Sequence, residues 1–126
     1  MPASRQPLSV AIITLNAATQ LEECLKSVHF ADDIVVVDSG STDGTQALAE
    51  RYGARIIAQP WLGFGPQKDL AVRTARNDWV LCVDADERVS VDLAGAIRSA
   101  LADKPAFLAY RCARSNRFLG RYLHHG

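Results

Sequence analysis

Short apolar runs alternate with amphipathic stretches along the chain. The runs are rich in Val and Ile and end at polar residues, which is typical of buried strands. Between them, apolar residues recur at helical spacing, as Leu21, Cys24, Leu25 and Val28 do. The pattern predicts strands at 8–15, 34–37, 54–58, 79–83 and 106–112, and helices around 21–28 and at 45–52, 67–76 and 90–102.

Strands that alternate with helices predict an α/β fold with three layers, in which helices cover both faces of a mostly parallel sheet. Polar residues follow three of the predicted strands: Thr14 and Asn16 the first, Asp38 the second, Asp84 and Asp86 the fourth. Open sheets of this kind bind ligands beyond the carboxyl ends of their strands, near the point where strand order reverses. The pattern therefore predicts a functional site at that edge.

Composition adds limits to this picture. A chain of 126 residues with 48% hydrophobic residues has the size of one domain, which we take as 1–126. Lys plus Arg and Asp plus Glu number 14 each, so bulk charge gives no reason to expect a nucleic acid partner. No apolar run is long enough for a signal peptide or membrane span, and we expect a soluble protein.

The chain contains three cysteines, Cys24, Cys82 and Cys112, all in apolar surroundings. Their number is odd and no two form a C-x-x-C pair. We interpret them as reduced core thiols of a cytoplasmic protein, in preference to a zinc site or a catalytic thiol.

Three carboxylates follow the fourth predicted strand within four residues, an unusual end for a buried segment. If strand geometry continues, Asp84 and Asp86 point the same way and Ala85 leaves room between them. Two such carboxylates suit a hard cation such as Mg²⁺, whose other ligands are water and substrate phosphates. The alternative is structural, with the acids capping a turn and pairing with Arg88 or Arg76.

The turn after the second strand contains a further acidic pair. Asp38 ends a buried strand, so its carboxylate is expected over the crevice, where it can accept hydrogen bonds from a base or a ribose. Thr42 and Asp43 are expected to cap the helix that begins at Thr45.

Glycine patterns exclude two ligand classes. The chain has neither the G-x-G-x-x-G of dinucleotide-binding enzymes nor the G-x-x-x-x-G-K-[ST] of P-loop proteins. The segment 63–68, GFGPQK, remains open to two interpretations. Its helix N-terminus and Lys68 can attract phosphate, or it is an ordinary turn with a solvated lysine.

Four motifs in order, TLN at 14–16, DSGSTDGT at 38–45, QK at 67–68 and DADE at 84–87, closely resemble the family 2 glycosyltransferases of the GT-A fold. Two further segments, PWLGFG at 60–65 and RFLGR at 117–121, look most like the branch that adds glucose to the inner core of lipopolysaccharide. The resemblance spans about residues 8–126. It implies an inverting transfer of a hexose, expected to be glucose, from a UDP-sugar to a lipopolysaccharide core or related glycan acceptor.

The resemblance also implies roles for individual residues. The implied nucleotide-sugar-binding residues are Thr14, Leu15, Asn16, Asp38, Lys68, Asp84 and Ala85. Asp38 would contact the uracil, Lys68 would lie near the nucleotide, and Asp84 would contact the ribose or the metal shell. Asp86, with Asp84, would hold a divalent cation, Mg²⁺ or Mn²⁺, which stabilises charge on the leaving diphosphate.

The sequence departs from the family in three respects. Ala17 stands where glutamate is frequent, and Asp69 where asparagine is common. The chain is also shorter than family members, and the inverting reaction needs a general base for the acceptor hydroxyl. Of the later acids, Asp92 and Asp103 lie on a predicted surface helix. We therefore expect a truncated, donor-binding N-terminal part, inactive alone, whose catalytic base lies beyond Gly126.

Basic residues are frequent near the C-terminus: Arg111, Arg114, Arg117 and Arg121, followed by His124 and His125. One interpretation is contact with an anionic acceptor or with headgroups at the inner face of the cell membrane, where each basic group contributes about 1 kcal/mol. The other is a solvated edge, or ion pairs with the missing half of the fold. We expect the two histidines to bind no metal. Apolar surface left by a missing half also favours a homodimer.

Three other functional classes fit part of the pattern. A receiver-type signalling domain has a similar length, a parallel sheet and Mg²⁺, but its acidic pair follows the first strand, where this chain has Asn16 and Ala17. Phosphatases that begin with D-x-D also place that motif at the first strand. A module that binds nucleotide sugar without chemistry remains an alternative for the chain as given.

Overall fold

The computed structural model describes residues 6–102, together with the backbone of 109–111 and 118–121. The strands are β1 (Leu8–Thr14), β2 (Asp33–Asp38), β3 (Arg55–Ala58), β4 (Trp79–Cys82), β5 (Ala109–Arg111) and β6 (Phe118–Arg121). The helices are α1 (Ala18–Ser27), α2 (Thr45–Arg51), α3 (Phe64–Thr74) and α4 (Val91–Ala102). Within these described ranges, no helix is long and apolar enough to cross a membrane.

The strands form one sheet in the order β3-β2-β1-β4-β6-β5. The first four strands are parallel, β6 is antiparallel to β4, and β5 is antiparallel to β6. Strand order reverses at β1, which has β2 on one side and β4 on the other. The carboxyl ends of β1 and β4 therefore meet at the point where the sequence predicts a site.

Helices cover both faces of the sheet, which confirms the predicted three-layer α/β fold. On one face, alternate residues of β1 such as Val10 and Ile12 pack with apolar residues of α1, α2 and α4. On the other, Ala11 packs with Ala71 and Val72 of α3. Strands buried on both sides need apolar residues at consecutive positions, and this explains the unbroken runs in the sequence.

Helix α3 begins at Phe64, three residues before the predicted start. Gly63 precedes it with φ of 107°, and Pro66 lies in its first turn, where a backbone N–H has no acceptor within the helix. The predicted loop at 61–66 was therefore wrong in its second half.

The C-terminal strands differ from the prediction in number. Strand β5 lies within the predicted 106–112, whose other residues lie outside the described ones. Strand β6 was not predicted, and it places the backbone of Arg121 beside Trp79 of β4.

A buried ion pair fastens the amino-terminal edge of the sheet, opposite the predicted site. Asp33 is 8% exposed and accepts two hydrogen bonds from Arg55, at 2.9 Å from Nε and 3.0 Å from Nη2. The Ser9 hydroxyl and the Arg76 backbone N–H also donate to it, at 2.8 and 2.9 Å. Burial alone raises the pKa of Asp33, but the hydrogen bonds, led by that from Arg55, lower it overall.

Candidate functional site

A tight turn after β1 displays Leu15 at the carboxyl edge of the sheet. Asn16 has φ of 50°, a left-handed conformation that asparagine tolerates better than most residues. Its side-chain oxygen accepts from the Thr42 N–H at 2.8 Å, and its own N–H donates to the Ser41 hydroxyl at 2.7 Å. These bonds join the loops after β1 and β2, and they leave Leu15 55% exposed.

The carboxylate of Asp38 is enclosed by donors from the protein itself. Its Oδ1 accepts from the hydroxyls of Thr14 at 2.7 Å and Ser41 at 2.5 Å. Its Oδ2 accepts from the N–H groups of Gly40 at 3.0 Å and Ser41 at 2.8 Å, and from the Gln46 amide at 2.8 Å. Burial alone raises the pKa of Asp38, but these bonds outweigh it and hold the pKa below its usual range.

Asp38 is only 1% exposed, and every acceptor site of its carboxylate faces a donor. In this structure the residue shapes the loop after β2. Its contact with a uracil stays a prediction.

Of the two residues predicted to cap α2, Asp43 bonds its first residue and also supports α1, whereas the Thr42 N–H donates to Asn16. Its Oδ1 accepts from both the N–H and the hydroxyl of Thr45, and its Oδ2 accepts from the Ala18 N–H at 3.1 Å. The hydroxyl of Thr45 in turn accepts from the N–H of Ala17 at 3.0 Å. One acidic side chain thus aligns the starts of two helices behind the site.

The acids after β4 lie on a turn, so the expectation that strand geometry continues through them was wrong. The strand ends at Cys82, and the Glu87 N–H donates to the Asp84 carbonyl at 2.9 Å. The Glu87 carboxylate accepts from the Asp84 N–H at 2.8 Å. The thiol of Cys24 also lies 3.6 Å from the Asp84 carbonyl oxygen. The turn, rather than a strand, presents Asp84 and Asp86.

Asp84 and Asp86 share a cavity of about 580 Å³ with Lys68, Ile13 and Phe64. This cavity is one half of a longer groove, and we call it the acidic half. Lys68 Nζ lies 3.6 Å from Asp84 Oδ1, and both side chains are about one-third exposed, at 35% and 32%. The backbone N–H of Arg76 donates to Asp33 at the other edge of the sheet. The alternative pairing of these acids with the side chain of Arg88 or Arg76 stays a prediction.

An adjoining cavity of about 470 Å³ is lined by Ile13, Thr14, Leu15, Trp61 and Phe64. Ile13 and Phe64 line both cavities, so the two cavities form one groove. We call this second cavity the apolar half of the groove, because four of its five lining residues are apolar. The rings of Trp61 and Phe64 meet edge to face with centroids 4.9 Å apart. In the sequence, the segment 60–65 stood out only because it resembles one branch of the family. The signal that could have identified it as part of the site is its position after β3 and at the start of α3, at the carboxyl edge of the sheet.

Buried Gln67 holds the Trp61 segment against α3. Its Oε1 accepts from the Leu62 N–H at 3.1 Å, and its Nε2 donates to the Gln59 carbonyl at 3.0 Å. Gln67 is fully buried, so neither bond competes with water.

The predicted site residues therefore divide into three groups. Thr14 and Leu15 line the apolar half, and Lys68, Asp84 and Asp86 line the acidic half. The other three predicted residues line neither half as resolved: Asn16 and Asp38 shape the adjoining loops, and Ala85 packs against the core. Their ligand contacts stay predictions.

Some predictions concern other parts of the chain. Cys24 and Cys82 are not joined to each other by a disulfide, and Cys24 is buried. Cys112, Asp103 and the segments 112–117 and 122–126, with their basic residues, lie outside the described residues. Within the described part of the chain, no three His, Cys, Asp or Glu side chains are grouped to hold a metal ion.

A family model described as "Glycosyl transferase family 2" matches residues 9–125. The chain belongs to glycosyltransferase family 2. Membership confirms the resemblance seen in the four motifs and rejects the receiver-type alternative. Residues 9–125 therefore form a glycosyltransferase family domain.

Relatives support this membership over most of the chain. An uncharacterized glycosyltransferase of Rickettsia bellii is 42% identical over 107 residues, which are 82% of this chain and 36% of the relative. The lipopolysaccharide core biosynthesis glycosyltransferase LpsC of Rhizobium meliloti is 37% identical over 119 residues, 90% of this chain and 44% of the relative. The chain thus spans less than half the length of these relatives.

Solved structures confirm the GT-A fold. The mannosyltransferase PcManGT of Pyrobaculum calidifontis superposes with a TM-score of 0.76 at 20% identity, over 95% of this chain and 46% of that one. Glucosyl-3-phosphoglycerate synthase of Mycobacterium tuberculosis, in complex with Mn²⁺, UDP and glucosyl-3-phosphoglycerate, gives 0.53 at 27% identity over 66% of this chain and 36% of that one.

Proposed function

We propose that this chain is the donor-binding part of an inverting transferase that moves a hexose, glucose in our proposal, from a UDP-sugar to a lipopolysaccharide core or related glycan. One observation carries the proposal: Lys68, Asp84 and Asp86 line a single cavity at the reversal point of the sheet. The name of the LpsC relative supports the acceptor class. The UDP and Mn²⁺ of the Mycobacterium tuberculosis complex support the donor and the cation.

The residues present fit a divalent cation that arrives with a diphosphate. Asp84 and Asp86 supply carboxylate oxygens to one cavity, and two protein carboxylates are the usual share for Mg²⁺. Phosphate oxygens and water would then complete the ligand set. When bound, the cation stabilises the negative charge that develops on the nucleoside diphosphate as it leaves.

The remaining groups of the site bind and position the donor. The Lys68 ammonium can turn from Asp84 toward a phosphate, because both side chains are partly exposed. Thr14 and Leu15 border the nucleoside. In our proposal the general base and most hexose contacts come from sequence beyond Gly126, and the whole enzyme works at the cytoplasmic face of the membrane. The chain alone then binds donor without transferring sugar.

Calorimetric titration of UDP, with and without Mn²⁺, tests the proposal. Asp86→Asn removes one carboxylate from the groove, and the matched control Asp92→Asn makes the same change on the exposed first turn of α4. We expect Mn²⁺-dependent UDP binding that Asp86→Asn weakens at least tenfold and Asp92→Asn leaves unchanged. Binding that is independent of Mn²⁺, or equal losses in the two variants, would contradict the proposal.

A further inference from the structure

The apolar half of the groove is lined mainly by apolar and aromatic side chains, which are not ligands for phosphates or a metal ion. Trp61 is 50% exposed, Phe64 71% and Leu15 55%. Large apolar side chains that are exposed together mark a binding surface. This surface adjoins the acidic half, with which it shares Ile13 and Phe64, so a single ligand can occupy both.

Hydrogen-bonding groups are scarce in the apolar half. Four of its five lining residues are apolar, and the fifth, Thr14, donates its hydroxyl to Asp38 at 2.7 Å. Asp38 itself accepts five hydrogen bonds from the protein. A ligand group that fits here must gain most of its affinity from apolar contact and from aromatic rings.

We propose that Trp61 and Phe64 form the wall on which the base of the nucleoside diphosphate packs. This inference rests on the proposed function, because the diphosphate in the acidic half is what brings a base to the apolar half. A nucleobase is planar and has apolar faces, and stacking on an aromatic ring suits any base. The two residues thus act as binding determinants for the donor, in addition to those implied by the family motifs.

Contacts within the protein hold the wall in place before a ligand binds. The edge-to-face contact between Trp61 and Phe64 fixes each ring against the other. Gln67 secures the intervening backbone through its bonds to Leu62 and Gln59. A surface held in this way loses little conformational freedom on binding, so its contacts add directly to affinity.

Leu62 provides a matched control. It lies between the two aromatic residues and is 53% exposed, yet it lines neither half of the groove. The Leu62 N–H that donates to Gln67 belongs to the backbone, so Leu62→Ala preserves that bond. Trp61→Ala and Phe64→Ala therefore remove exposed apolar surface from inside the groove, and Leu62→Ala removes it from outside.

The test titrates UDP and pyrophosphate, each with Mn²⁺, into the unmodified chain and the variants. We expect Trp61→Ala and Phe64→Ala each to weaken UDP binding about five- to hundredfold, the range of base–aromatic stacking. Pyrophosphate has no base, so its affinity should change less than twofold. Leu62→Ala should leave both affinities unchanged, and Trp61→Phe, which restores a ring, should recover most of the UDP affinity.

Fluorescence gives a second readout, because Trp61 is half exposed and Trp79, the other tryptophan, is 3% exposed. UDP should quench the emission, pyrophosphate should not, and Trp61→Phe should abolish the effect. If UDP still binds with Mn²⁺ but the aromatic variants behave like Leu62→Ala, the base lies elsewhere and only this inference fails. Equal losses for UDP and pyrophosphate would also overturn it. If UDP does not bind the folded, unmodified chain, both the proposed function and this inference fail.

Discussion

Asp84 and Glu87 bind each other twice across one turn. The Asp84 N–H donates to the Glu87 carboxylate at 2.8 Å, and the Glu87 N–H donates to the Asp84 carbonyl at 2.9 Å. Of the three acids that follow β4, Glu87 therefore has a structural task, and Asp84 and Asp86 keep their carboxylates in the groove. The dense negative charge at the end of this strand combines two acids that line the groove with a third that holds their turn.

Replacing Glu87 tests this division of roles. Glu87→Ala removes the acceptor for the Asp84 N–H, which should loosen the turn and lower Mn²⁺-dependent UDP affinity about tenfold. Glu87→Gln keeps an acceptor oxygen in the same place and should stay within about threefold of the unmodified chain. Calorimetry on both variants decides between them. A Gln variant as weak as the Ala variant would show that the charge of Glu87, not its hydrogen bond, serves the ligand.

Asp38 should govern acid stability. Its ordinary pKa of 3.8 is lowered in the folded state, so the unfolded chain takes up a proton first as the pH falls. The stabilisation is complete above about pH 5 and is lost as the pH falls through the lowered folded-state value. Asp38→Asn turns an amide N–H₂ toward groups that donate, which should reduce the free energy of unfolding by about 2–4 kcal/mol at pH 7.

Urea denaturation between pH 7 and pH 3 measures both the loss of stability in Asp38→Asn and the dependence of stability on pH. The Asp38→Asn variant should lose less stability across this range than the unmodified chain. Part of the change in unfolding free energy with pH should persist in the variant, because Asp33 also has a lowered pKa and contributes with the same sign. An unchanged slope would show that Asp38 does not carry the pH dependence assigned to it.

Patterns of period and polarity were enough to predict the layered fold. The parallel strands are buried on both faces, so their sequences are unbroken apolar runs that end where the sheet ends. The edge of the sheet that holds the candidate site follows from those ends, and Asp84 and Asp86 were found in this way. Strand β6 escaped prediction because its four residues, FLGR, give too little periodicity to separate a strand from a loop.

The side-chain partners within the site were less accessible to sequence reasoning. The orientation of Asp84 and Asp86 depends on where β4 ends, and hydrogen bonds to Glu87 set that end. Enclosure of Asp38 depends on donors from three segments, among them Thr14 and Gln46, which only the fold brings together. The contact between Trp61 and Phe64 likewise could not be predicted, because it depends on α3 starting at Phe64, within a segment predicted as a loop.

The Asp33–Arg55 pair should affect stability without affecting the ligand. Arg55→Met leaves a buried carboxylate with fewer partners, which should reduce the free energy of unfolding by about 3 kcal/mol. Because the pair lies at the opposite edge of the sheet from the groove, UDP affinity of the folded variant should stay within twofold. Denaturation and calorimetry at a temperature where the variant is folded measure the two quantities. A large loss of affinity in folded Arg55→Met would show that the two edges are coupled.

Lys68 should have opposite effects on free metal and on metal with nucleotide. Its ammonium lies 3.6 Å from Asp84 Oδ1, where it competes with a cation for that oxygen. Lys68→Met should raise the affinity for Mn²⁺ alone about threefold, a small effect because partly exposed ion pairs are weak. The same change removes a positive charge from the diphosphate, so UDP affinity in saturating Mn²⁺ should fall about tenfold. Lys26→Met, which alters an exposed pair with Glu23 on α1, is the control. If Lys68→Met lowered both affinities, Lys68 would support the arrangement of the acids instead of competing for them.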